Sequence, residues 1–139
     1  MNIVENALVA VLATDTDLSG YAIHNGQSKD MLDDPKQIIV ACENASFPTD
    51  LPQGLGNYVC RVSVGVFTQI DDCTLADHRE AVQNVIGVLD DQALVKSSFA
   101  TIGDATAYNC LLSGGMDEGR GDRSFMTSMT YEVKIVLAP

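Results

Sequence analysis

Residues 125–137 alternate with a period of two. Phe125, Thr127, Met129, Tyr131, Val133, Ile135 and Leu137 fall on one side, and Ser128, Thr130, Glu132 and Lys134 fall on the other. This pattern fits a strand with one face in a core and the other in water, and it cannot serve a helix, whose apolar positions recur every three to four residues. Residues 58–69 repeat it, with Cys60, Val62, Val64 and Val66 opposed to Arg61, Ser63, Gly65 and Phe67. Two long one-sided strands call for a sheet covered on a single face.

Helical periodicity supplies the cover. Ile3, Ala7, Leu8, Val11 and Leu12 share a stripe, with Asn2 and Glu5 where a cap and the macrodipole favour them, which predicts a helix over residues 2–13. Thr74 with Asp77 three residues on reads as a capping box, and Leu75, His78, Val82, Val85, Ile86 and Leu89 then trace one face of a helix over 74–90. The β-branched run 37–45 (QIIVACENA) reads as a strand, and the Pro- and Gly-bearing segment 47–57 as a long connection. Residues 14–35 read as an irregular connection with one helical turn near Asp30 to Leu32, and residues 91–105 carry no firm pattern. A short apolar stretch at 108–113, the turn-rich loop 114–123 and the final strand predict a long hairpin near the C-terminus. The expected fold class is α+β: an antiparallel β-sheet with two main helices packed on one face. With 139 residues and 46% hydrophobic content, one domain over residues 1–139 is the expectation.

Charge narrows the function. Eight basic against nineteen acidic residues give a net charge of −11, which repels phosphate backbones and opposes self-association except through specific contacts. No specific nucleic-acid binding is expected. The apolar run 7–13 is far short of the ~20 residues that cross a bilayer, and no basic stretch precedes it, so no signal peptide, membrane span or membrane partner is expected. Cys42, Cys60, Cys73 and Cys110 are dispersed, three of them in apolar runs, as expected of reduced thiols.

Catalytic, metal and cofactor-binding residues are all expected to be absent. His24 lies in a loop-like segment and His78 at the margin of a helix stripe, neither with a recognisable partner for nucleophilic catalysis. The aspartate pairs 33–34, 71–72 and 90–91 border predicted elements, where carboxylates cap helices and turns. Asp15 and Asp17 lack the rest of a calcium loop, and the Gly-Leu-Gly and Ser-Gly-Gly stretches lack the lysine of a phosphate cradle. The Arg120-Gly121-Asp122 triplet is too short to indicate adhesion. The loop carrying it holds both charge signs, suited either to a mobile hairpin tip or to a contact that orders across a subunit boundary.

In element order, and in the segments QIIVACENA, RVSVGVFTQ, TLADHREAVQNVIGVL and FMTSMTYEVKIVL, the chain resembles the tail terminator and related tail-completion (neck) proteins of long-tailed bacteriophages from Ile3 to Leu137. The resemblance implies a structural virion protein that forms a homohexameric ring at the head-proximal end of the tail tube. Such a ring stops tube polymerisation, meets head-completion or neck proteins and lets DNA pass through its lumen. It implies assembly in the host cytoplasm, residence in the tail or neck of the virion, and no enzymatic activity or cofactor. Its contacts would fall on the 47–57 connection and the 114–123 loop, with Asp117, Glu118 and Asp122, and on the scarce cations Arg61, Arg79, Arg120 and Arg123. Two alternatives stand beside it: another connector, neck or minor tail component, and a small ligand-binding or enzymatic α+β domain with a deep pocket.

Overall fold

The computed structural model describes residues 2–26, 34–46 and 56–137. In chain order the elements are α1 (Asn2–Ala13), β1 (Ala22–Asn25), β2 (Lys36–Ser46), β3 (Asn57–Gln69), α2 (Leu75–Asp90), α3 (Gln92–Ile102), β4 (Ala105–Arg120) and β5 (Ser124–Leu137). The expected helical turn near Asp30 to Leu32 and most of the 47–57 connection lie outside the described residues.

β3 and β5 form the centre of the sheet because both alternate without interruption. They pair antiparallel along their whole length, from Asn57 opposite Val136 to Gln69 opposite Ser124. The full order is β1-β2-β3-β5-β4. Cys60, Val62, Val64 and Val66 of β3 and Met129, Tyr131, Val133 and Ile135 of β5 point into the core, where Ile38, Val40, Ala107 and Cys110 extend the same layer. Val4, Leu8 and Leu12 of α1, Val85 and Leu89 of α2, and Phe99 of α3 cover that layer from one side. The α+β class and the C-terminal hairpin are as the sequence predicts.

Three expectations need correction. The sheet is mixed, because β1 pairs parallel to β2 over Ala22–Asn25. A third helix, α3, occupies most of 91–105. Asp91 caps it by accepting a bond from the Leu94 N–H at 3.2 Å, and Gly103 ends it at φ 82°, a backbone conformation that suits glycine. The loop at 114–123 is strand as far as Arg120, and only the residues around Gly121 to Arg123 turn the chain, with the Gly121 N–H bonded to Ser124 O at 2.8 Å. The strand continues because two irregularities, at Ala107/Asn109 and Leu112/Met116, absorb extra residues and restore the register with β5.

The second helix starts as its sequence dictates. Thr74 Oγ1 accepts from the Asp77 N–H, and Asp77 Oδ2 accepts from the Thr74 N–H. His78 departs from its expected place at the core margin. It is fully buried, with Nδ1 2.8 Å from Thr68 Oγ1 and Nε2 2.7 Å from Thr127 Oγ1. Two hydroxyls that would otherwise be unpaired in the core thus tie α2 to β3 and β5. Burial holds the imidazole below its ordinary pKa, so it sits there neutral.

Candidate interaction surfaces

Helices cover one face of the sheet, and no described helix lies on the other. The alternation that buries Val62 and Val64 turns Arg61, Ser63, Gly65 and Phe67 outward, beside Ile39 and Ala41 of β2 and Met126, Ser128, Thr130 and Glu132 of β5. At one end of this open face Ile39, Ala41, Gly65, Phe67 and Met126 line an apolar groove of about 370 Å³ bordered by Asp117. Gly65 shapes it: a Cβ there would lie 2.7 Å from the Phe67 ring, so the missing side chain lets the ring lie down along the strand. Toward the other end Arg61 and Glu132 stand opposite each other in register and line a polar hollow of about 210 Å³ with Asn44, Ser46 and Thr130.

The charges of the two sides differ. On the open face Arg61 and Lys134 are matched by Glu132 and Asp117. The helix side exposes Asp17, Asp77, Glu80, Asp90 and Asp91 together with Lys96, and the Arg79 guanidinium there is engaged.

The seven residues predicted as contact sites separate into several places. Arg79 of α2 and Glu118 of β4 meet each other: Nε donates to Oε1 at 2.8 Å and Nη2 to Oε2 at 2.9 Å. The guanidinium holds the Glu118 carboxyl below its usual range, and the pair clamps the hairpin to the helix within one chain. Arg120 stacks over Phe125, its Cζ 5.6 Å from the ring centroid. Arg61 and Asp117 belong to the open face. Asp122 and Arg123 sit in the turn, where Arg123 O accepts from the Ile70 N–H at 2.8 Å.

Sequence reasoning missed the groove residues Ile39, Gly65, Phe67 and Met126, although a signal was present: Ile39, Phe67 and Met126 are apolar residues on the outward phase of their strands. It also missed two side chains that close the sheet edges. Gln92 of α3 mimics a strand neighbour of β4, donating from Nε2 to Cys110 O at 2.9 Å and accepting at Oε1 from the Cys110 N–H at 2.8 Å. Glu5 of α1, 5% exposed, accepts the Cys42 N–H of β2 at Oε2, 2.7 Å away, so its carboxylate serves a strand rather than the helix dipole.

His78 is shut away from solvent, and His24 contacts Asp34 at 2.8 Å near the surface. The four cysteines are free, and no group of three or more metal-ligating side chains occurs among the described residues. No described helix is long and apolar enough to cross a membrane.

No protein-family model matches the sequence, and no curated protein does either. Among solved structures, the fold is similar to a chain in the virion of a native gene transfer agent particle. The TM-score is 0.69 at 12% identity, with 95% of this chain and 93% of that chain covered. At such low identity the likeness is one of fold, and it extends over nearly the full length of both chains.

Proposed function

We propose that this chain is a structural virion protein of the tail terminator type. Six copies form a ring at the head-proximal end of a tail tube, end its polymerisation and present a surface to head-completion or neck proteins, while DNA passes through the lumen. The observation that carries this reading is the end-to-end likeness to a chain from the virion of a gene transfer agent particle. It agrees with the element order that resembles tail terminators and with the absence of an accessible catalytic constellation among the described residues. The charge of −11 suits a component that neither grips DNA nor self-associates indiscriminately. The protein would assemble in the host cytoplasm and reside in the tail or neck of the virion, without enzymatic activity or cofactor.

Arg61, Asp117, Arg120, Asp122 and Arg123 are the contact residues that remain for neighbours in this reading, since Arg79 and Glu118 are engaged with each other. Light scattering across a range of salt, for the protein alone and with polymerised tail tubes of the same virus, tests it. A closed ring, or a stoichiometric cap on tube ends, is expected. A chain that stays monomeric and ignores tubes overturns the proposal.

A further inference from the structure

The sheet ends on two edges, and each is closed at one point by a side chain from the helix layer: Gln92 at Cys110 of β4, and Glu5 at Cys42 of β2. Exposed strand edges invite pairing with another chain, and such side chains blunt them. Past the caps no described side chain closes either edge. β1 accompanies β2 only as far as Val40, so no described strand flanks residues 44–46 on that side. No described strand lies outside residues 113–120 of β4.

The ladder says which of the described amides point away from the sheet. Cys110, opposite Val133, directs both its backbone groups outward, to Gln92. Antiparallel pairing alternates, so Met116 and Glu118, opposite Met129 and Thr127, are oriented the same way. On β2, Cys42 directs its N–H outward to Glu5. Ala45, opposite Cys60 as Cys42 is opposite Val62, shares that orientation beyond the irregularity between them.

We propose that these two bare stretches pair with each other between copies: residues 113–120 of one subunit add antiparallel to residues 44–46 of the next. The inference rests on the ring reading above and names the contact that builds the ring. Three features of the fold point to a second copy as the occupant. β2 and β4 run in opposite directions within one sheet, so copies placed side by side around an axis present antiparallel edges to each other. The two stretches are different surfaces, so the contact is head-to-tail, the kind that builds a ring when the rotation between copies closes and a filament when it does not. They also lie toward opposite ends of the sheet: residues 44–46 are level with Arg61 to Val59, and Met116 to Arg120 are level with Met129 to Phe125 of β5. Neighbouring sheets are then staggered along the strands, the offset that a closing sheet requires. Main-chain hydrogen bonds also let strongly acidic copies associate without depending on opposite charges, once salt screens their repulsion.

Hydrogen exchange resolved by residue tests the contact. The wild-type chain is assembled in about 1 M sodium chloride, where screening is short-ranged, and separately on polymerised tail tubes of the same virus. Slowing of the Met116 and Glu118 amides by about a hundredfold on assembly, with slowing at Ala45, is the expected result. Assembly that leaves those amides exchanging as in the monomer overturns this contact while the ring reading stands. No assembly under either condition overturns both. Met116→Pro removes one outward N–H and leaves the inner ladder to β5 intact, a placement that edge strands tolerate. The variant is expected to melt as the wild type does and to lose assembly at least about tenfold in concentration. Where it fails to fold, the wild-type exchange data decide alone.

Discussion

The two faces of one sheet follow different rules. On the helix-covered face every second residue from Cys60 to Thr68 of β3 and from Phe125 to Ile135 of β5 is buried, packing is continuous from α1 to α3, and Thr68, His78 and Thr127 pair with one another, while the buried Tyr131 hydroxyl has no partner among the described residues. The open face mixes charges of both signs with a small apolar groove, and its side chains are half-exposed. Stability therefore belongs to the first face, while the second is free to vary with whatever the protein must contact. A truncation of equal size should consequently cost very different amounts on the two sides.

The largest effect is expected from Phe99→Ala, which empties a fully buried site under α3 and should cost about 3–5 kcal/mol. Phe67→Ala removes the same ring from the open face, where water already reaches it, and should cost below about 1.5 kcal/mol. Urea unfolding of the two variants reads the contrast directly. Equal losses would mean that the open face is as much a core as the covered one, and the comparison would break.

Next comes His78, where the covered face holds its buried titratable joint. Its folded-state pKa is lowered by burial, so the folded chain prefers the neutral ring. The unfolded chain takes up a proton at higher pH than the folded chain does. The contribution is thus fully present above about pH 6.5 and is lost as pH falls below that value, levelling off beneath the folded-state pKa. His78→Gln cannot titrate and leaves one threonine hydroxyl without its partner, a cost of about 1–3 kcal/mol at pH 8. Urea midpoints from pH 8 to pH 5 should fall more steeply for the wild type than for the variant, since the carboxylates are common to both. Parallel curves would show that the imidazole is no part of the acid sensitivity.

The covered face was legible in the sequence because burial writes itself as period: two for β3 and β5, about 3.6 for α1 and α2. α3 was not, since only Val95 and Phe99 are buried in it and Ser97 and Ser98 interrupt any stripe. Its cap at Asp91 and its glycine stop at Gly103 were the available signals. β1 is a product of tertiary placement, four half-buried residues that become a strand only because β2 runs alongside them. The run 114–120 reads as turn by composition, yet β5 offers it a ladder and the two bulges take up its surplus residues. The groove was hidden for a similar reason: Phe67 looked like an ordinary outward residue until Gly65, two positions back, left the ring room to lie down. Nor does pattern show that Glu5 and Gln92 cap strands, since each reaches a backbone group far away in sequence.

Gly65 offers a smaller and sharper probe of the open face. Its added Cβ would meet Cε2 of Phe67 at 2.7 Å, but that ring borders solvent and can swing away, so Gly65→Ala should cost about 1 kcal/mol or less. In a Phe67→Ala background the clash is gone, and the same substitution should become neutral or slightly stabilising through better strand propensity. A double-mutant cycle in urea isolates the coupling between the two positions. Absence of coupling would mean that the ring does not rest on the glycine.

The smallest effect is expected at the clamp between α2 and β4. Arg79 and Glu118 form a well-aligned two-bond pair, but both side chains are exposed, 57% and 38%, and water competes for each partner. Because the guanidinium lowers the Glu118 pKa, whatever the pair contributes is present above the ordinary carboxylate range and is lost as pH falls through it. At neutral pH, Arg79→Ala, Glu118→Ala and the double variant should unfold at nearly the same urea concentration as the wild type, with differences that shrink further in high salt. A loss approaching that of Phe99→Ala would show that the hairpin is held to the helix layer by this contact and not by its ladder to β5. The pair would then mark a second place, outside the core, where the stability of the covered face resides.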